Sequence, residues 1–172
     1  MVTKHVVVVP YDDRWPMAFQ KIRTELADAL GDAALAIEHV GSTAVVGLAA
    51  KPVIDIDVAI ASLADFPVVR TRLEAIGYRH EGDQGIPGRE VFKYEDKTHL
   101  MKHHLYVCAR DAAEWKRHLA FRDHLRTHAD DRDAYGAVKR LAALRHPEDI
   151  EGYMAEKAGI ITAILARIGP IL

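Results

Sequence analysis

Two short stretches carry residue types that could do chemistry together: the turn Gly41-Ser42 and the pair Asp55 and Asp57 within "KPVIDIDVAI". Two residues apart on a strand, both aspartates leave the same face with their Cα atoms roughly 7 Å apart. At that distance two like charges repel by about 2 kcal/mol at an effective dielectric near 20, and aspartate is a poor strand former. Such a pair either marks a solvent-facing strand edge or holds a divalent cation. Carboxylate oxygens suit Mg²⁺ or Mn²⁺, and a site of this kind shares its cation with a substrate's phosphates. The turn would supply backbone N–H donors for the same phosphates.

Spacing excludes two better-known phosphate loops. A P-loop needs a second glycine at position 46, which is Val46, and Gly47 is followed by Leu48. A dinucleotide fingerprint needs glycine at position 43, which is Thr43. A serine hydrolase is set aside because the G-x-S-x-G elbow is absent.

Further candidates follow from charge and spacing. Lys51, before Pro52, could reach a phosphate as a point charge, and His39 could orient the turn it precedes. Arg122 and Arg126 lie four apart on a predicted helix, with Lys139 and Arg140 on the next. Each pair is either a phosphate-binding patch or a solvated helix face. His124 and His128 have metal-compatible spacing but lack the glutamate of H-E-x-x-H, so a solvated pair is expected.

These residues need elements to position them. Trp15, Phe19, Ile22, Leu26 and Leu30 recur at helical spacing, with Asp12 or Asp13 as N-cap and Gly31 as terminator. "ALAIEHV" and "KPVIDIDVAI" read as strands, the latter alternating Ile54, Ile56, Val58 and Ile60 with the two aspartates. A helix of about 15 residues fits "SLADFPVVRTRLEAIG". "YRHEG", "REVFKYE" and "HHLYVCA" supply two or three further strands. After Arg110 the pattern is helical: one helix around Trp115 to Leu125, one around Tyr135 to Ala142, and a last one opening at Pro147 and closing at Gly169-Pro170. The layout expected is α/β (α+β): a mixed sheet with an N-terminal helix and a C-terminal helical layer, in one domain over residues 1–172.

Composition bounds the class. The chain is 49% hydrophobic and 28% charged, ordinary for a globular domain. With 23 basic and 25 acidic residues it has no overall pull toward nucleic acid or anionic lipid, although a local nucleic-acid site stays open. No segment approaches the roughly 18 apolar residues of a membrane span. The lone Cys108, in an apolar run, reads as buried filler, and a cytoplasmic address is the default expectation.

The Gly-Ser turn followed by a D-h-D strand resembles the signature of the nucleotidyltransferase superfamily. More closely, "IEHVGSTAVVGLAAKPVIDIDV" is similar to the defining segment of the GrpB family, which has that fold. The likeness continues through "YDDRWPMAF", "HHLYV", "FRDHLRTH", "YGAVK" and "YMAEKAGI", and so spans residues 6 to 166. The resemblance implies a nucleoside triphosphate as substrate, with Gly41 and Ser42 on its phosphates, Asp55 and Asp57 on the metal, and Lys51, Arg122 and Lys139 as further substrate contacts. Val46 stands where many relatives have proline. Active superfamily members usually carry a third carboxylate on a later strand. Here that strand reads "HHLYVCA", with His103 or His104 in the acid's place, and His104 is the catalytic candidate. Glu90 or Glu95 is the alternative source of a third acid.

Two classes of function therefore remain. One is a Mg²⁺-dependent nucleotidyltransferase-like enzyme with an unidentified acceptor. The other is a non-catalytic nucleotide- or phosphate-binding module that assists a partner enzyme, as the related domain that follows some dephospho-coenzyme A kinases suggests.

Overall fold

The computed structural model describes residues 5–171. Its sheet has five strands: β1 (Ala36–Val40), β2 (Ile54–Ile60), β3 (Tyr78–His80), β4 (Arg89–Tyr94) and β5 (His103–Ala109), in the order β1-β2-β5-β4-β3. The central pair β2 and β5 is parallel and all other neighbours are antiparallel, so the sheet is mixed, as expected. The aspartate strand β2 lies between β1 and β5, and the edge-strand reading is thereby excluded.

Alternation along the strands divides the sheet into two faces. One face presents Ile54, Ile56, Val58 and Ile60 from β2 with Leu105 and Val107 from β5, all buried. Helix α1 (Trp15–Leu30) lays Trp15, Phe19, Ile22, Leu26 and Leu30 on it, and α2 (Phe66–Ala75) adds Val69 and Leu73. The opposite face carries the aspartates and lies beneath α3 (Ala113–Thr127). Helices α4 (Ala129–Arg145) and α5 (Ile150–Ile168) complete that layer through a second apolar cluster of Val45, Leu48, Leu125, Tyr135 and Ile164. Among the described residues no helix is long and apolar enough to cross a membrane.

Several element ends differ from expectation for local reasons. The N-cap of α1 is Arg14, not an aspartate; Asp12 instead accepts from the Arg14 backbone N–H at 2.9 Å and pairs with its guanidinium. The second helix is shorter than expected, because Leu63–Asp65 forms a 3₁₀ turn before Phe66. The last helix starts at Ile150 and not at Pro147, capped by Asp149, whose side chain accepts from Gly152 N–H at 3.0 Å.

Leu105 sits on the central parallel strand with no exposed surface. Truncation there leaves a cavity that rigid neighbours on α1 and β2 fill poorly, so Leu105→Ala should cost about 2–5 kcal/mol of unfolding free energy. Urea unfolding monitored by circular dichroism measures this; a midpoint unchanged from wild type would contradict the core assignment.

Candidate functional site

The site begins at the turn after β1. Gly41 has φ 72°, a left-handed conformation that favours glycine, and Ser42–Ala44 then forms a 3₁₀ turn. A side chain at 41 would also strike Asp55, its Cβ falling 2.9 Å from the aspartate's own. The turn thus packs directly over the first aspartate. His39 anchors it from below: its Nε2 pairs with Thr43 Oγ1 at 2.8 Å and its ring stacks on Phe19. Burial lowers the pKa of His39 to about 4, so the ring stays neutral and acts as a strut.

The two aspartates have different surroundings. Asp55 is half-buried, and His104, beside it in the β2–β5 register, donates from Nδ1 to its Oδ1 at 3.0 Å. Asp57 has no exposed surface. His118 on α3 donates from Nδ1 to Asp57 Oδ2 at 2.7 Å, while Asp57 Oδ1 has no hydrogen-bond partner among the described residues. Burial pushes the Asp57 carboxyl up, against the pull of His118. Burial also works against a charged His118, but the hydrogen bond and charge of Asp57, with Glu114 nearby, outweigh it and raise its pKa. Both groups of this hydrogen-bonded pair are thus shifted toward their protonated forms.

Beside Asp55 the structure gathers three lysines. Lys51 precedes β2, Lys139 lies on α4 and Lys157 on α5, and all three line a cavity of about 230 Å³ with Ser42, Asp55 and Tyr153. Lys139 is 1% exposed and its Nζ has no hydrogen-bond partner among the described residues. Aromatic faces give partial compensation: Lys139 sits 4.6 Å from the Tyr135 ring centroid, and Lys157 and Lys51 lie 4.6 and 5.5 Å from that of Tyr153. Burial, reinforced by the neighbouring ammonium groups, lowers the pKa of Lys139 to about 6 and of Lys157 to about 8, and moves Lys51 down as well. Asp55 attracts all three. One half-buried carboxylate thus faces three amines, and the cavity is short of negative charge.

A second cavity of about 250 Å³ adjoins the first, sharing Ser42, Asp55 and Lys157. Its walls are mainly apolar, with Phe121, Leu125, Tyr135 and Ile161, and Arg117, His118 and Arg122 also line it. Together the two cavities make a cleft with a cationic half and an apolar half, joined at the turn and Asp55.

The expected site residues distribute unevenly around this cleft. Gly41, Ser42, Lys51, Asp55, His104 and Lys139 line it, whereas Asp57 has no exposed surface and meets it only through His118. Arg122 lines it too, but its guanidinium is committed to Glu38 Oε2 at 2.6 Å, His39 O at 3.1 Å and Asp123. Arg126 turns away from the cleft and donates to Ala44 O. His103 points into the opposite face, receiving the Tyr78 hydroxyl at 2.7 Å, so of the two histidines only His104 meets the aspartates. Neither alternative acid arrives: Glu90 is paired with His80 and Glu95 with Arg79. The expectation of a solvated His124 and His128 pair is corrected as well. Their rings stack 3.8 Å apart, and His124 is held by Asp131.

Two participants escaped the sequence reading. Lys157 occupies a buried stripe of α5 with Tyr153 and Ile164, where its charge was the available signal. His118 left no signal, since only the packing of α3 on β2 brings it to Asp57.

The aspartates suit one divalent cation. The donors are hard oxygens, and the orphaned Asp57 Oδ1 is a buried acceptor that lacks a positive partner. Among the described residues no group of three His, Cys, Asp or Glu side chains is set to hold a metal ion, so further ligands would come from water and a ligand's phosphates.

The profile of the family described as "GrpB protein" matches residues 5–167. A UPF0157 protein of Streptomyces coelicolor is 39% identical over 92% of this chain and 82% of its own length. A dephospho-CoA kinase of Mycolicibacterium paratuberculosis is 33% identical over 88% of this chain, which spans 43% of that protein. Among solved structures, GrpB from Enterococcus faecalis superposes with a TM-score of 0.80 at 32% identity, covering 94% of this chain and 98% of that one. The Cid1 poly(U) polymerase bound to MgGTP superposes with a TM-score of 0.54 at 16% identity, covering 80% and 45%; this shows a shared nucleotidyltransferase-like fold.

The buried amine at 139 has a thermodynamic signature. Unfolded lysine keeps its proton up to about pH 10.5, whereas folded Lys139 releases it at about 6. Between those values the unfolded chain binds one more proton, so wild-type stability should rise with pH by about 1.4 kcal/mol per unit from this group. Lys139→Met removes that slope, and near pH 7 should be the more stable protein by a few kcal/mol. Chemical denaturation across pH 6–9 tests this; parallel stability curves would contradict the assignment.

Proposed function

The chain belongs to the GrpB family, and from that premise and the geometry of its cleft we propose that it binds the triphosphate of a nucleotide between the lysine cavity and the aspartate pair. The observation that carries this reading is the charge imbalance: three amines, one of them buried without a partner, face a single accessible carboxylate. Burial keeps the Lys139 amine largely unprotonated near pH 7, and an entering polyphosphate would supply the negative charge that lets it take up a proton. In this reading Ser42 and the backbone of its turn meet the terminal phosphates, together with Lys51, Lys139 and Lys157. The nucleoside lies in the apolar half among Phe121, Leu125, Tyr135 and Ile161.

Asp55 and Asp57 would hold Mg²⁺ or Mn²⁺, which when bound supplies charge neutralisation at the phosphates. The activity that fits is nucleotidyl transfer: an acceptor hydroxyl bonds to the α-phosphorus, the bond to the β-phosphate bridging oxygen breaks, and pyrophosphate departs with its electron pair. This chain's residues contribute mainly by position and fixed charge, which dominate phosphoryl chemistry. Arg122 acts in this reading by holding Glu38 and the end of β1 beneath the turn and not by touching phosphate.

A second reading keeps the pocket and drops turnover. It is favoured by one observation, that His104 and His118 occupy the neighbourhood of the aspartates where further acids would recruit a second cation. On this reading the chain is a nucleotide-binding module that serves a partner enzyme, in keeping with the fused dephospho-CoA kinase relative.

Calorimetric titration of ATP, GTP, CTP and UTP with and without Mg²⁺ tests the shared part. Wild type should bind in a Mg²⁺-dependent way, Asp55→Asn should lose the metal dependence, and the Lys139→Met/Lys157→Met double variant should bind at least tenfold more weakly. Because Lys139 enters near-neutral, binding at pH 7 should also take up close to one proton, read as a difference between Tris and HEPES buffers. Equal affinity in the lysine variant would sink the proposal. Pyrophosphate release against a panel of acceptors then separates the two readings: release abolished by Asp57→Asn means transfer, and tight binding without release means the accessory module.

A further inference from the structure

The cleft has a third section, which neither the triphosphate nor the nucleoside fills. An open groove of about 650 Å³ runs across β4 and β5 and joins the lysine cavity through His104 and Tyr106, which line both. Its floor is the aspartate face of the sheet. In the β4–β5 register Val91 lies beside Tyr106, so Lys93, two residues on, shares that face. Lys102, just ahead of β5, lines the groove as well. One lysine on β4 and one just ahead of β5 thus share the groove with His104, the side chain that contacts Asp55.

The charges in this groove are of two kinds. Lys97 is buried and committed to Glu25 and to Ile76 O, and Glu95 is taken by Arg79. Lys93 and Lys102 are exposed and form no ion pair among the described residues. Glu81, the acid whose carboxyl feels Lys93, is itself held by Arg79. Lys102 in turn adds to the positive field on Lys51 across the boundary with the lysine cavity. Among the described residues the groove thus carries two unpaired cations and no free carboxylate on its lining, and it meets the lysine cavity at His104, which contacts Asp55.

We propose that this groove is the site of a second, anionic ligand, bound by Lys93 and Lys102: a phosphate- or carboxylate-bearing acceptor that presents its nucleophile past His104 to the nucleotide. The proposal rests on the nucleotide reading for the acceptor's role, but the groove's preference for anions stands on its own lining. A polycationic acceptor is excluded by the same charges. With the nucleotide in place, the acceptor's anionic group is held away from the triphosphate while its hydroxyl faces the α-phosphorus, and the hydroxyl's proton passes to water when the new P–O bond forms.

Nuclear magnetic resonance titration of the full chain tests this. Glycerol 3-phosphate and citrate are the anionic probes, with glycerol and spermidine as neutral and cationic controls. Each is added alone and after saturation with Mg²⁺ and the α,β-methylene analogue of ATP. Wild type should bind at least one anion, with shifts centred on residues 91–94 and 102–106, and the exposed-lysine double variant Lys93→Ala/Lys102→Ala should lose at least tenfold in that affinity while its affinity for the analogue changes less than twofold. The tighter of the two anions assigns phosphate or carboxylate chemistry. Failure of both anions to bind, an undiminished affinity in the double variant, or spermidine binding in the groove would each overturn the proposal. Failure of the analogue alone would instead count against the nucleotide reading, and the groove would be judged from the titrations without it.

Discussion

An ammonium group cannot be left both buried and unpaired without a large electrostatic cost, and Lys139 is nearly inaccessible with no hydrogen-bond partner. The protein meets this constraint in two ways at once. It lets the amine lose its proton, as the lowered pKa records, and it sets the Nζ over the Tyr135 ring so that a proton gained later is partly stabilised. Lys157 and Lys51 repeat the arrangement around Tyr153. A methionine at 139 should make a more stable protein, and under the proposed function the lysine serves a ligand that is negative.

Asp57 poses the converse problem on the other side of Asp55. Its carboxylate lies under α3, and His118 satisfies one oxygen and leaves the other bare. Under the proposed function, an amine that can take up a proton and a carboxylate with one bare oxygen, on either side of Asp55, suit a ligand with separated charges. A phosphate chain with an attached divalent cation has that character. The scaffold explains why the charges do not simply collapse together. Asp55 and Asp57 are fixed by an interior strand of the sheet, Lys139 and Lys157 by α4 and α5, and the turn between them by the His39–Thr43 hydrogen bond.

Much of this was legible in the sequence because it depends on local period. Alternation put Asp55 and Asp57 on one face, and helical spacing found the apolar stripe of α1. The left-handed turn at Gly41 was visible as a glycine before serine. Alternation also required His103 and His104 to point to opposite faces, but only the packing of α1 and α2 on the sheet decided which face each took. Lys139 was found as a charge near a family-like segment, yet its burial was not foreseen, since a charged residue four after Tyr135 reads equally as the edge of a solvated face. His118 could not be found at all: its contact spans α3 and β2, and no local pattern encodes that meeting. The misread cap at α1 has a local origin instead, for Asp12 pairs with Arg14 two residues on and not with the helix end.

The most direct test of the account is a crystal structure of the full chain with Mg²⁺ and the α,β-methylene analogue of ATP. The account predicts phosphate oxygens within hydrogen-bonding distance of Ser42 and of the Lys139 and Lys157 Nζ atoms, with the cation between Asp55, Asp57 and the phosphates. A nucleotide bound outside the cleft, for example along the arginine groove behind the turn where Arg126 and Arg132 lie, or a cleft left without phosphate at saturating analogue, would contradict it.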